Sequence, residues 1–426
     1  MKNVKIIYFL MMVFLSGLTN AHALTLGDAI ARVLNQHPDL AMAQTDVKIA
    51  KKEKHISSWL PDAKAKIDLE EIPANNSSLG NADMTSYGVS QEIPFPLTLT
   101  TQAKKGAALV KSMQYANEGV KRNLIYETTK TYIELLMTQK QLALRREVLG
   151  IYKQLSTSLE SEYKASSGHT PINTMTGEKT EKKESFLGDV FMAKMKVAEN
   201  ETAIDDLMHQ TESLKAKLNL MMGNQALEKM TPLTPLPVKN LKITAAELEQ
   251  KLTTQNSDLN SLKWLIEKSR QDKNLAKLAL VPTLEPEFAY NQRQNRENAI
   301  TVGMGLNLPI WINRNSAEIK KGQLEEYKSR LEFNQKQLSL KQELYDLYNH
   351  AKQHVKIVRK YRDEVVPLAK SAFNVTQASF NTGNTDTRDL LQKMINYLEA
   401  SKMYWDLWSD YQIEYALLEQ ITGEPL

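Results

Sequence analysis

The feature that most constrains this chain is a duplication. Asp189 to Gly223 and Asp389 to Gly423 are two uninterrupted helix-like stretches, each opening on an aspartate and stopping at a glycine. In the first, Val190, Val197, Ile204, Thr211 and Leu218 recur every seven residues, with Leu207, Leu214 and Met221 beside them. In the second, Met394, Tyr397, Ser401, Tyr404, Trp408, Tyr411, Tyr415 and Leu418 step by alternating threes and fours. Such spacing makes a seam along which a helix packs against others. Both glycines fit the left-handed position that ends a helix. They lie 423 − 223 = 200 residues apart, so the chain reads as two copies of one unit.

The rest of the chain keeps the same grammar. Leu26, Ile30, Val33, Leu34 and Leu40 begin a helical pattern that stops at Trp59-Leu60-Pro61, and Asn256-Ser257-Asp258-Leu259 to Leu280-Val281-Pro282 repeats it. After each proline the period changes to two. Ala63, Ala65, Ile67 and Leu69, then Tyr87, Val89 and Ile93, alternate with polar residues. So do Leu284, Phe288 and Tyr290, then Ile300, Val302, Met304, Leu306 and Leu308. These predict strands at about 63–72, 85–93, 283–292 and 299–308, paired as two hairpins with one apolar face. The hairpins exit through Ile93-Pro94-Phe95-Pro96 and Leu308-Pro309-Ile310-Trp311, where Phe95 and Trp311 stand as interfacial aromatics.

Long helices follow, at about 104–164 and 317–380, each returning through a second one at about 187–222 and 387–422. Sixty helical residues would reach roughly 90 Å, beyond any compact domain. The second long helix has an expected seam at 340, 344, 347, 351, 354, 358, 361, 365, 368, 372 and 375, with a kink expected at Pro367 opposite Ile151. Gly106 with Gly322 and Tyr132 with Tyr348 keep an offset of 216, which falls to 200 at the returning helices. The difference lies in a polar insertion at 166–185, read as a loop. The division is therefore a first repeat at 24–223, a proline-bearing linker at 224–245 expected against the middle of the helices, and a second repeat at 246–426.

Composition closes off other classes. Lys2 and Lys5, the apolar run Ile6 to Leu15 and Ala21-His22-Ala23 read as a signal peptide over 1–23, so the mature chain is exported. Removing the two lysines lowers the net charge from +4 to about +2, which gives no reason to expect nucleic acid. No cysteine is present, so neither disulfide, thiolate metal site nor lipidated N-terminal cysteine is expected. No later stretch is apolar enough for a membrane-spanning helix.

The alternation alone also fits a soluble half-buried sheet; if the apolar face meets lipid instead, the strands must close into a barrel, four alone cannot, and several chains must associate. The duplicated order, the Asp39-Leu40 and Asp258-Leu259 starts, the proline before each hairpin in Leu60-Pro61 and Val281-Pro282, and the Gln91-Glu92-Ile93-Pro94 and Leu306-Asn307-Leu308-Pro309 exits resemble the TolC family of outer-membrane efflux proteins. Within it the chain is most similar to the heavy-metal components of the CzcC and CusC type, though it lacks their N-terminal cysteine. The resemblance implies an α+β membrane protein. It would be a homotrimer with one 12-stranded β-barrel in the outer membrane of a Gram-negative bacterium, continued by a long periplasmic α-helical barrel. It implies a passive exit duct for solutes, heavy-metal cations among them, supplied by an inner-membrane RND-type proton-driven pump through a periplasmic adaptor docked at the helical tips. Asp189, Asp386, Arg388 and Asp389 become candidates for closing the periplasmic aperture, where three-fold symmetry makes each acid a ring. The same acids also read as helix caps and first-turn charges.

No enzyme is expected: Thr176-Gly177-Glu178-Lys179-Thr180 lacks a phosphate loop's glycine spacing, and no catalytic residue or cofactor site is found. No metal site is expected either. His350 and His354 share a helix face but have no carboxylate near in sequence, and the methionines along the seams read as core. The alternative function is a periplasmic coiled-coil adaptor or scaffold without channel activity, for which the apolar hairpins would have no use.

Overall fold

The computed structural model describes residues 23–72, 79, 82–167, 178–294 and 296–426, and leaves undescribed the side chains of 166–167 and 178–186. The expected signal peptide, apart from residue 23, and 168–177 of the expected insertion lie outside the described residues.

The elements run α1 (Leu26–Gln36), α2 (Pro38–Ser57), β1 (Lys64–Glu70), β2 (Met84–Ser90), α3 (Pro96–Ser167), α4 (Glu178–Met221), α5 (Ala245–Gln255), α6 (Ser257–Leu278), β3 (Thr283–Arg293), β4 (Ala299–Asn307), α7 (Ile312–Lys360), a π-helical turn (Tyr361–Val365), α8 (Val366–Asn381) and α9 (Thr387–Thr422). They group into two compact units, and neither is one sequence copy. One takes the chain through His37, Arg122–Leu248 and Glu343–Leu426; the other takes Pro38–Lys121 and Glu249–Gln342. Two helices differ markedly from their expected starts. α3 begins at Pro96 rather than 104, because proline suits a first helical turn. α4 begins at Glu178 rather than 187, because its Glu- and Lys-rich opening favours helix without any apolar seam.

The sheet unit holds all four strands in one antiparallel sheet of order β1-β2-β3-β4. Its register places Ile67, Tyr87, Tyr290 and Ile300 in one row, and Ala65, Val89, Phe288 and Val302 in the next. Below the strands, glycine sets the helix spacing. A Cβ on Gly106 of α3 would lie 2.9 Å from Lys54 Cα of α2, and one on Gly322 of α7 would lie 3.0 Å from Lys273 Cα of α6. The repeated glycines are thus the same close helix contact, made once in each copy. Ser112 Oγ–Ser261 Oγ and Ser269 Oγ–Ser329 Oγ, both 3.0 Å, join α3 to α6 and α6 to α7.

The helical unit is built on the two returning helices. Both end as their glycines predict, with φ +77° at Gly223 and +81° at Gly423. The linker lies against α3, α4 and α9. The Tyr132 hydroxyl is 2.8 Å from the carbonyls of both Leu24 and Thr234. Asn219 Nδ2 donates to Ala226 and Glu228 carbonyls, and Tyr411 donates to the Lys239 carbonyl at 2.7 Å. At the other end of the unit, Val148, Tyr152, Leu155 and Leu159 of α3 share one core with Val190 and Ala193 of α4, Phe373 of α8, and Leu390, Leu391, Met394 and Tyr397 of α9.

The second long helix corrects the expected seam. Leu124, Thr128, Leu135 and Leu142 are buried, as are Leu340, Leu344, Ala351 and Val358 at the offset of 216. Beyond Val358 the packed positions become Ala369, Phe373, Thr376 and Phe380. Leu368 and Val375, expected on the seam, are 69% and 67% exposed. Tyr152 with Ala369, Leu159 with Thr376 and Tyr163 with Phe380 are each 217 apart. The π turn accounts for the added residue, since a wide turn inserts one position and rotates all that follows. Pro367 sits directly after this turn, and by the shifted offset its counterpart is Gly150 rather than Ile151.

Candidate functional site: an unpartnered amphipathic sheet and a capped helical tip

The sheet has two chemically opposite faces. On one, Val302 is 78% exposed, Ile300 64%, Ile67 68% and Phe288 52%. Leu284, Leu306 and Leu308 continue this apolar surface toward Trp311, itself 70% exposed, and Phe95 is half exposed at the end of the other hairpin. Water-facing apolar surface of this extent marks a surface meant for a partner or for lipid.

The other face is polar and closed by its own pairs. Lys64 Nζ lies 3.2 Å from Glu285 Oε1, and Ser90 Oγ donates to the same oxygen at 2.9 Å. Lys66 pairs with Glu287 at 3.8 Å, and Asn291 Nδ2 donates to Thr301 Oγ1 at 2.7 Å. Gly88 stands on β2 between Lys66 and Ala289 of the flanking strands, so no side chain on β2 obstructs the Lys66–Glu287 pair. The outer edges of β1 and β4 have no partner strand among the described residues. An open edge beside an apolar face is a template for further strands.

The expected aperture acids divide. Asp386 caps α9, its side chain accepting from the Asp389 backbone N–H at 2.8 Å. Asp389 stands in the first turn, 3.5 Å from Lys393 Nζ and 3.4 Å from Thr385 Oγ1. Arg388 is exposed. Asp189 lies within α4 rather than at its start, so the reading of Asp189 as an N-cap fails. Val190 and Leu390, which follow Asp189 and Asp389, share one core, so the fold brings these acids to the same end of the helical unit.

One cluster was not visible in sequence. His354 Nδ1 of α7 lies 3.0 Å from Glu414 Oε2 of α9, and the His350 and His354 rings meet edge-on at 6.1 Å. Burial raises the Glu414 carboxyl above its usual range, although His354 opposes the shift. Burial also raises Asp410, again against His354. The partner carboxylate is 60 residues downstream, so only the packing of α7 on α9 reveals it. Among the described residues no three His, Cys, Asp or Glu side chains are grouped to hold a metal. No described helix is long and apolar enough to cross a membrane.

Residues 248–424 match the family model described as outer membrane efflux protein. No curated protein sequence matches the chain. Among solved structures, a membrane protein from Pseudomonas aeruginosa is similar at 15% identity and TM-score 0.77, covering 94% of this chain and 90% of that one. CusC is similar at 14% identity and TM-score 0.76, over 94% and 92%. The outer membrane protein VceC from Vibrio cholerae is similar at 15% and TM-score 0.75, over 94% and 96%. The match to the outer membrane efflux protein family covers residues 248–424, and the chain as a whole has the fold of these structures.

Proposed function

We propose that the protein is an outer-membrane efflux channel that works as a homotrimer. The observation that carries this reading is the sheet, whose apolar face is bare and whose two edges are open. Three copies joined edge to edge supply twelve strands, abolish the edges and turn the apolar rows to lipid. A twelve-stranded barrel is wide enough to keep a wet lumen, suited to the face bearing Ser, Thr, Asn and glycine. Phe95 and Trp311 then mark the boundary where strands give way to helices. A soluble adaptor or scaffold would gain nothing from such a sheet.

The channel conducts passively and performs no chemistry. It receives solutes from an inner-membrane RND-type pump through a periplasmic adaptor bound at the helical tips, heavy-metal cations being the solute class suggested by the sequence resemblance. Asp189, Asp386, Arg388 and Asp389 close the periplasmic end, and the Asp386 cap fixes where those charges stand. The N-terminal segment exports the chain without lipidation.

The test is planar-bilayer conductance of detergent-solubilised protein, with mass measured on the same preparation. Discrete channels from a trimer are expected, with longer openings when Asp386 and Asp389 are both changed to Asn. Water-soluble monomers that never conduct, with or without those changes, would refute the reading.

A further inference from the structure

An open cleft of about 560 Å³ lies within the sheet unit, where α2, α3 and α6 come together. Lys48 and Lys51 of α2 and Lys111 of α3 line it, with Tyr115, Asn117 and Trp264. Lys111 Nζ stands 4.0 Å from the centre of the Trp264 ring. We propose that this cleft binds an organic anion carrying an aromatic ring and a hydrogen-bond donor.

Three observations lead there. The first is charge. Among the described residues no carboxylate pairs with Lys48, Lys51 or Lys111, whereas several other lysines of the same unit are neutralised. Lys105 and Lys268 both reach Asp272, Lys336 reaches Asp258 and Lys341 reaches Glu249. The cleft's acid, Glu118, is 3.8 Å from Lys121 instead. Three ammonium groups lining one cleft with a single carboxylate, none of them paired to it, leave a positive excess that attracts an anion.

The second is the wall. Trp264 and Tyr115 give flat apolar surface, and the indole face holds Lys111 in place through a cation–π contact. A planar ring packs on such a surface, while a hydrated inorganic ion gains nothing from it. The third is an orphaned acceptor. Among the described residues only two buried side-chain polar atoms lack a partner, and one is Asn117 Oδ1, on a residue lining this cleft. An unmet buried acceptor is costly, and a turn of the Asn117 side chain that brings it to a ligand N–H or O–H removes the cost.

The probe is 4-hydroxybenzoate, which carries all three features, against its neutral isostere 4-hydroxybenzamide and against inorganic phosphate. Binding to the detergent-solubilised full chain is read by equilibrium dialysis, with saturation-transfer NMR to show ring contact. The acid is expected to bind, with the amide and phosphate each at least about tenfold weaker, equivalent to about 1.4 kcal/mol. Lys111→Gln is expected to weaken the acid about tenfold as well. Lys48→Gln, at an exposed position that the fold does not need, repeats the test should Lys111→Gln fail to fold. Lys277→Gln, outside the cleft, should change nothing. Equal binding of acid and amide, equal binding of phosphate, or indifference to both cleft substitutions would overturn the proposal. Binding needs no conductance, so protein that takes up the probe but never conducts would sink the channel reading alone.

Discussion

The π turn at Tyr361–Val365 makes a prediction that separates phase from proline. Deleting Glu364 shortens the wide turn to an ordinary helical one and leaves the packed positions on both sides in phase. It also moves Pro367 into a helix interior, where its ring meets the carbonyl one turn earlier and its missing N–H leaves an acceptor unpaired. That costs about 3 kcal/mol. Deleting Glu364 together with Pro367→Ala removes this cost and should melt close to the native protein. Deleting Asn374 with the π turn intact has a different result. It rotates the following residues by about 100° relative to those before. Phe373, 4% exposed and stacked on Tyr397 with ring centres 6.2 Å apart, then cannot pack in register with Thr376 and Phe380. Losing a buried phenylalanine costs about 3–5 kcal/mol. The assay is thermal unfolding of the detergent-solubilised protein by far-ultraviolet circular dichroism. The order expected is native and doubly altered protein together, with both single deletions well below. A doubly altered protein that melts as low as the Asn374 deletion would refute the phase account, and a Glu364 deletion that melts like the native protein would refute the part given to Pro367.

Other outcomes follow from single sites. Asp386→Ala removes the α9 cap and should cost about 1 kcal/mol in stability, with Asp386→Asn nearly silent in the same melts. Val302→Lys places a charge on the lipid-facing row, which should cost about 2–4 kcal/mol near mid-membrane and block assembly in lipid vesicles. A normal trimer yield from that variant would contradict the barrel. Glu326, largely buried on α7, is held below its usual 4.5 by hydrogen bonds from Lys273 and Arg330, against a burial penalty that raises it. Its depressed carboxyl stabilises the fold fully above pH 4.5, and that contribution is lost as pH falls through the lower folded-state value. Melting temperature should therefore drop less steeply below pH 4.5 in Glu326→Gln than in the native protein.

The residues alone were enough for the duplication, the glycine stops of the returning helices and the strand faces, because each is a local periodicity or a local backbone requirement. Gly223 and Gly423 stop their helices through left-handed φ, a property that needs no neighbour. Ile300, Val302 and Met304 alternate with polar residues whether or not anything covers them. What depended on a partner far along the chain stayed hidden. The carboxylate beside His354 is on another helix, and the reason for Gly106 and Gly322 is a lysine backbone pressing against each. The extra residue in the π turn was hidden for a different reason. A seam read by counting threes and fours runs straight through one inserted residue, and only the burial of Phe373 and Thr376 on the packed core shows that the phase has moved. Tertiary structure decided these points because they are distances between elements, and periodicity within one element carries no record of them.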